Sequence, residues 1–148
     1  TKSIQKSLIK YFKKNNTKNI KFYIDPKIYN NNLKKIGFIK ANYSSKMYSE
    51  IKFAIIKPGL GTIEECLQRG VVIISYIKDT FSEFKYNSKI LKENKLGYNF
   101  QDIEKSLNFI FKNLNNIDLL KLHEKNCKKL KWGGEKLIGK YLFKKVNI

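Results

Sequence analysis

The segment 57–65 (KPGLGTIEE) holds the residues whose types and spacing could do chemistry. Gly59 and Gly61 allow a backbone to approach a ligand closely, and a helix that starts just after them would direct free N–H groups and a positive dipole end to the same place. A diphosphate suits such a place. The alternative is a plain tight connection in which both glycines only supply positive φ angles, and a short Gly-x-Gly does not separate the two interpretations.

Two carboxylates, Glu64 and Glu65, lie in the first turn of the helix predicted after this segment. One of them could accept hydrogen bonds from both hydroxyls of a ribose. The alternative is structural, because a helix dipole favours acidic side chains there. Thr62, with Glu65 three residues later, also has the spacing of a capping box, which predicts Thr62 as the N-cap. On these residues alone the structural interpretation is favoured.

Apolar runs on either side predict the elements that position this segment. Residues 53–56 (FAII) and 71–74 (VVII) have the pattern of strands buried on both faces, and the helix between them is predicted to end at Gly70. Strand, helix and strand make a βαβ unit, which implies a parallel sheet with right-handed crossovers. Ligands of such sheets bind beyond the carboxyl ends of the strands, where residues 57–61 are placed.

The rest of the chain alternates between helix and strand, so we expect one domain, residues 1–148, with an α/β fold. The expected architecture is a Rossmann-like three-layer sandwich with a parallel sheet. Further strands are predicted at 20–24 and 38–43, and helices at 3–14, 28–36, 44–51, 62–69, 82–93 (ending near Gly97), 101–114, 117–130 and 135–143.

Composition and charge narrow the class of protein. No apolar run reaches the ~18 residues of a membrane span, and no signal peptide pattern is present, so we expect a cytoplasmic protein. The net charge is +19, from 31 Lys and Arg against 12 Asp and Glu, which suggests a polyanion as partner. Only Arg69 is an arginine, whereas base readout relies on the guanidinium fork. We therefore favour a generic lysine surface, and a nucleic-acid-binding module stays as an alternative.

Segment 53–74, together with 81–97 (FSEFKYNSKILKENKLG), resembles the C-terminal half of GT-B glycosyltransferases. The branch it resembles includes the peptidoglycan N-acetylglucosaminyltransferase. That branch shows an apolar strand, Gly-x-x-Thr-x-x-Glu, a helix, Gly and a second apolar strand, followed by an acidic position and an Asn on the next helix. The resemblance covers about residues 38–100. It implies the donor-binding domain of an inverting, metal-independent enzyme that uses a UDP-sugar or another nucleotide diphosphate sugar for cell-envelope or polysaccharide glycosylation.

The resemblance also implies a role for each matched position. The glycine turn would bind the diphosphate, Glu65 the ribose, and the segment Tyr43-Ser44 would frame the base. Glu83 and Phe84 would face the sugar, although relatives often have Gln in place of Phe84. The nucleotide-binding set is Gly59, Leu60, Gly61, Thr62, Glu65, Tyr43 and Ser44, and the sugar-binding set is Glu83, Phe84 and Asn87, of which Asn87 would support the loop.

The same resemblance predicts what the chain lacks. In that family an N-terminal domain holds the acceptor and usually the catalytic base. We therefore expect no catalytic residue, metal or cofactor here, beyond the donor substrate. The chain is expected to begin after the first strand and glycine turn of its domain, as a fragment or as one subunit of a split enzyme, and to be inactive alone. A UDP-sugar hydrolase of nonulosonate synthesis shares the GT-B body and stays as an alternative.

Two further features have both structural and functional interpretations. His123 and Cys127 are spaced i, i+4 on a helical pattern, but two ligands make a weak metal site, so a packed histidine is favoured. Cys66 and Cys127 are expected to be reduced thiols. Residues 131–148 form a basic amphipathic pattern that predicts a C-terminal helix. It would either pack on the domain or contact anionic lipid at the inner membrane face.

Overall fold

The computed structural model describes residues 2–15, 17, 19–77 and 81–130. Helices and strands alternate up to residue 113, a further helix follows, and every strand pair is parallel. This confirms the predicted α/β class. The strands are β1 (Phe22–Ile24), β2 (Phe38–Lys40), β3 (Phe53–Ile56), β4 (Val72–Tyr76) and β5 (Gly97–Phe100). The helices are α1 (Lys2–Lys14), α2 (Asn31–Lys35), α3 (Ser45–Glu50), α4 (Leu60–Gln68), α5 (Ser82–Glu93), α6 (Ile103–Asn113) and α7 (Ile117–Lys128).

The strands form two sheets where the sequence predicted one. β1 pairs with β2, and β4 lies between β3 and β5 in the other sheet. β4 is buried along its whole length, because it has a neighbour on each edge and helices on both faces. β1 and β3 are only half-buried.

Helices cover both faces of the strands, so the layers are helix, strand and helix. On one face, α3, α4, α5 and α7 contribute to a core that includes Cys66, Leu91 and Cys127, here called the α4 core. On the other face, α1, α2 and α6 contribute to an aromatic core centred on Phe12. The Phe12 ring lies 4.5 Å from the ring of Phe22 in β1. The arrangement is compatible with a Rossmann-like fold.

β5 is an element that the sequence pattern missed. We predicted that a helix would end near Gly97, whereas Gly97 begins a strand and lies opposite Ile73 of β4. A Cβ at Gly97 would stand 2.8 Å from the Ile73 carbonyl oxygen, so only a residue without a side chain allows this spacing. A four-residue strand with exposed Tyr98 and Asn99 has too short and too polar a pattern to be recognised alone.

Within the described residues the other predicted elements are present, most of them with shifted ends. α2 is shorter than predicted because the Asn30 side chain accepts a hydrogen bond from the Leu33 N–H at 2.9 Å and so starts the helix at Asn31. The predicted helix 135–143 and the basic segment 131–148 lie outside the described residues. Within the described ranges, no helix has the length and apolar character needed to cross a membrane.

Candidate functional site

The predicted site residues lie in the connections that follow the strands or in the helices that these connections lead into. The turn 57–59 joins β3 to the start of α4, and residues 41–44 join β2 to α3. In a parallel sheet these carboxyl-end connections lie at the same edge. The Tyr43 hydroxyl donates a hydrogen bond to Asp25, which follows β1, and this contact joins two of the connections.

The first turn of α4 presents free backbone N–H groups. The helix begins at Leu60, and its N-cap Gly59 has no side chain that could satisfy the N–H groups of Leu60, Gly61 and Thr62. The predicted capping box is therefore wrong: Thr62 lies inside the helix as its third residue, and it is not the N-cap. A helix end with exposed, uncapped N–H groups and a positive dipole end is suited to an anion.

The two glycines of this turn do not have the backbone conformation that the structural alternative required. Gly59 has φ −77°. Among the described glycines, only Gly37 and Gly70 have positive φ angles. A Cβ on Gly61 would meet no atom within 4 Å, so the space above the helix start is open. What the glycines provide is access to the backbone.

α5 supports the turn from behind. The buried Asn87 side chain donates a hydrogen bond to the Pro58 carbonyl oxygen at 2.8 Å, across 29 residues of chain. A Cβ on Gly59 would lie 3.9 Å from Cε1 of Phe84, so the half-buried Phe84 ring contacts the turn. Asn87 holds the loop from the interior, and a contact of Asn87 with a sugar stays a prediction.

Glu83 and Phe84 lie at the start of α5, beside the turn. Glu83 is exposed in the first turn of this helix, where the dipole favours a carboxylate. Phe81 is 55% exposed, and its ring centre lies 5.1 Å from that of Phe84. An exposed acidic group next to an aromatic pair is a surface to which a sugar could bind, although Phe84 itself offers no hydrogen bond.

Glu65 points towards α3. Its carboxylate accepts a hydrogen bond from Nη1 of Arg69 at 2.7 Å and is about half exposed. The same guanidinium donates from Nη2 to Ser45 Oγ at 3.1 Å and lies 5.8 Å from the ring centre of Tyr48. Glu64 instead accepts a hydrogen bond from Gln68 within α4. Of the two carboxylates, Glu65 is therefore the one that is connected to the segment beside α3.

Tyr43 and Ser44 lie directly before α3 and have structural partners. Tyr43 has φ 54° and is half exposed. Burial and the hydrogen bond to the Asp25 carboxylate raise the pKa of Tyr43, so its hydroxyl remains a donor at neutral pH. Ser44 is the N-cap of α3 and accepts a hydrogen bond from the Met47 N–H at 3.2 Å. A planar base could bind against the exposed Tyr43 ring, whereas the Ser44 hydroxyl is already occupied.

His123 and Cys127 form a packed pair. His123 Nε2 donates to the Val71 carbonyl oxygen at 3.0 Å and lies 3.3 Å from Cys127 Sγ. Burial lowers the pKa of His123 and raises the pKa of the Cys127 thiol to about 11. In the described part of the chain, no three His, Cys, Asp or Glu side chains are grouped as metal ligands. The structure thus favours the packed histidine.

Sequence reasoning missed two contributors to this region, Arg69 and Asp25. The Glu65–Arg69 spacing of four on one helix was a usable signal for their ion pair. The contact between Asp25 and Tyr43 had no such signal, because 18 residues separate them in the chain.

In comparisons with models of protein families, with curated proteins and with solved structures, no match to this chain was found.

Proposed function

We propose that this chain is the donor-binding domain of an inverting glycosyltransferase and binds a nucleotide diphosphate sugar at the start of α4. The observation that carries the proposal is the uncapped first turn of α4, with Glu65 one turn further along the same helix. Glu65 is connected through Arg69 to α3.

In the proposed complex, the N–H groups of Leu60, Gly61 and Thr62 donate to the diphosphate, and the Thr62 hydroxyl is a further donor. These groups are oriented before the ligand binds, so they stabilise the negative charge that develops on the departing nucleotide. Glu65 accepts from the ribose hydroxyls after it leaves Arg69. An exposed i, i+4 ion pair is worth only about 0.3–0.5 kcal/mol, so this exchange costs little.

The rest of the donor then extends in two directions along the same edge. The base lies towards Tyr43 and Ser44, and the sugar lies towards Glu83 and Phe84, with Asn87 holding the turn in place. The acceptor and the general base come from an N-terminal domain or a partner subunit, so the chain by itself binds donor without transferring sugar. Contact of residues 131–148 with anionic lipid at the cytoplasmic face belongs to the same proposal.

The test is calorimetric titration of the chain with UDP, UDP-glucose and UDP-N-acetylglucosamine. Glu65→Gln removes the charge that binds the ribose, and Glu64→Gln makes the same change at the neighbouring position. We expect Glu65→Gln to weaken UDP binding about tenfold, which is ~1.4 kcal/mol, and Glu64→Gln to leave it unchanged. Gly61→Asp, which places a negative charge beside the diphosphate site, should abolish binding.

The proposal fails if no nucleotide diphosphate binds to the folded chain, or if the two Glu variants behave alike. Titration with single-stranded and duplex DNA tests the alternative that rests on the net charge of +19. DNA binding with a steep salt dependence, together with no UDP binding, would favour a polyanion-binding module.

A further inference from the structure

β1 and β3 each have one edge without a strand. Among the described residues, β1 pairs only with β2, and β3 only with β4. Ala41 N–H donates to the Ile24 carbonyl oxygen at 2.8 Å, so Ile24 faces β2. Successive residues of a strand direct their backbone groups to opposite edges, and Tyr23 therefore faces the free edge of β1. In β3, the Lys52 carbonyl oxygen accepts a hydrogen bond from Val72 N–H at 2.9 Å, so Lys52 faces β4. By the same alternation, Phe53 and Ile55 face the free edge of β3.

These two edges lie in the same layer of the molecule. Phe22 of β1 and Ile55 of β3 both pack on the aromatic core. Tyr23 of β1 and Ala54 of β3 both pack on the α4 core. Both strands thus lie between the same two helical layers, although they do not pair with each other.

The crossovers show that the free edges face each other. α2, which joins β1 to β2, lies on the aromatic core, and α4, which joins β3 to β4, lies on the opposite face. Because βαβ crossovers are right-handed, connections on opposite faces extend the sheet in opposite directions. β2 therefore lies on one side of β1, and β4 lies in the opposite direction from β3. α3, which joins β2 to β3, packs on the α4 core as α4 does, so β3 lies in the same direction from β2 as β4 lies from β3. The order across the layer is β2, β1, a gap, β3, β4 and β5.

The placement of α1 identifies what the gap accepts. The Gln5 side chain donates to the Ile28 carbonyl oxygen at 2.7 Å, and Ile28 follows β1, so α1 begins at the carboxyl edge of the strands. α1 packs on the aromatic core, the same face as α2. A right-handed crossover on this face steps from β1 to β2. A strand that led into α1 and on to β1 would therefore lie on the other side of β1, in the gap.

We propose that the gap between β1 and β3 takes one parallel β-strand, apolar on both faces, that runs directly into the N-terminus of α1. Its side chains would alternate between the aromatic core and the α4 core. Its backbone would bond to Tyr23 on one edge and to Phe53 and Ile55 on the other, which would join the two sheets into one of six strands. This proposal rests on the fold and is independent of the proposed function.

The first measurement uses the 148-residue chain itself. Amide hydrogen exchange followed by NMR should show fast exchange at Tyr23, Phe53 and Ile55, because these amides face the gap. Ile24 and Ala54, which face paired strands, are the matched controls and should exchange more slowly. If the gap-facing amides are already as protected as these controls, another part of the chain fills the gap and the proposal is wrong.

The second measurement adds the proposed occupant. An N-terminal extension carries an alternating Val/Ile strand of about six residues followed by a glycine turn, and its control carries proline at alternate strand positions. We expect the Val/Ile extension to slow exchange at Tyr23, Phe53 and Ile55 by about tenfold or more. Equal exchange with both extensions overturns the proposal. Equal protection by the same strand added as a separate peptide overturns the requirement that it run into α1.

Discussion

Three strands of this protein, β1, β3 and β4, are rich in apolar residues but differ in burial. β1 (FYI) and β3 (FAII) are half-buried, whereas β4 is buried from Val72 to Tyr76. Among the described strands, β4 has a paired strand on each edge, and β1 and β3 have one paired edge each. The comparison teaches that the buried fraction of these residues depends on the pairing of both strand edges rather than on the hydrophobicity of the strand itself.

The largest expected effect tests this difference at two isoleucines that face each other across one ladder. Ile74 of β4 is fully buried and lies opposite Ile55 of β3, which is half-buried. Ile74→Ala should lower the free energy of unfolding by about 2–5 kcal/mol, because it leaves a cavity in a closed core. Ile55→Ala should cost about half as much. Urea denaturation of both variants measures this, and equal losses would contradict the role given to the second edge.

The next prediction concerns how closely β5 and β4 approach each other. Gly97→Ala places a Cβ 2.8 Å from the Ile73 carbonyl oxygen, so the backbone must shift, and we expect a loss of about 1–3 kcal/mol. Gly61→Ala is the matched control, since no atom lies within 4 Å of the added group. It lies in a helix, where alanine is favoured, so its stability should be unchanged or rise by up to ~1 kcal/mol. If both variants unfold at the same denaturant concentration, the close approach at β5 is not significant for stability.

A smaller effect is expected from pH, through the contact of α7 with the residue before β4. Burial lowers the pKa of His123 below its usual 6.5, so the unfolded chain binds a proton more readily than the folded one. The contribution of His123 to the free energy of unfolding is therefore fully present above about pH 6.5. Below that pH the free energy of unfolding falls, by at most ~1.4 kcal/mol per pH unit. The hydrogen bond from Lys128 lowers the pKa of Glu124, so the stability that this pair contributes is present above about pH 4.5 and is lost only at lower pH.

Thermal unfolding of the chain and of His123→Gln, followed between about pH 7.5 and 5.5, separates this contribution. Glutamine can still donate to the Val71 carbonyl oxygen but does not titrate, so its melting temperature should change less over this range. A variant that shows the same pH dependence as the original chain would assign the titration to another group.

The smallest effect concerns the reactivity of the two thiols in the α4 core. Burial raises the pKa of the Cys66 thiol to about 12 and that of Cys127 to about 11, and both side chains lie in the α4 core. In folded protein neither thiol should react with a disulfide reagent at about pH 8. A cysteine placed at Ile39 of β2, which is 41% exposed, should react at once. Prompt reaction of Cys66 or Cys127 would show that the α4 core unfolds locally at low cost in free energy.

Much of the fold could be predicted because local patterns carry it. The strand VVII and the βαβ unit around Gly59–Gly70 could be recognised from uninterrupted apolar runs, which are typical of strands buried on both faces. α1 and α5 could be recognised as helices. β5 could not be recognised, since Gly97 and the exposed Tyr98 and Asn99 leave it without an apolar run, and only its pairing with β4 defines it as a strand. The N-cap of α4 was predicted wrongly, because Thr62 has the composition of a cap while the helix begins two residues earlier.

The candidate site divides in the same way. Gly59 to Glu65 could be selected from the sequence, because glycines, a helix start and a carboxylate are adjacent in the chain. The connection of Glu65 to Ser45 through Arg69, and that of Asp25 to Tyr43, depend on residues 18 or more positions apart. Such contacts have no local spacing from which they could be inferred.

The sequence by itself determined the α/β class, the parallel pairing and the position of the glycine turn, since each follows from the order of apolar runs and turn residues. Only the tertiary structure decided that the strands form two sheets with facing free edges, because strand pairing joins segments that are remote in the chain. It also decided which of two adjacent carboxylates faces α3. The orientation of a helix about its axis is set by the core it packs on, and here that packing directs Glu65 to Arg69 and Glu64 to Gln68.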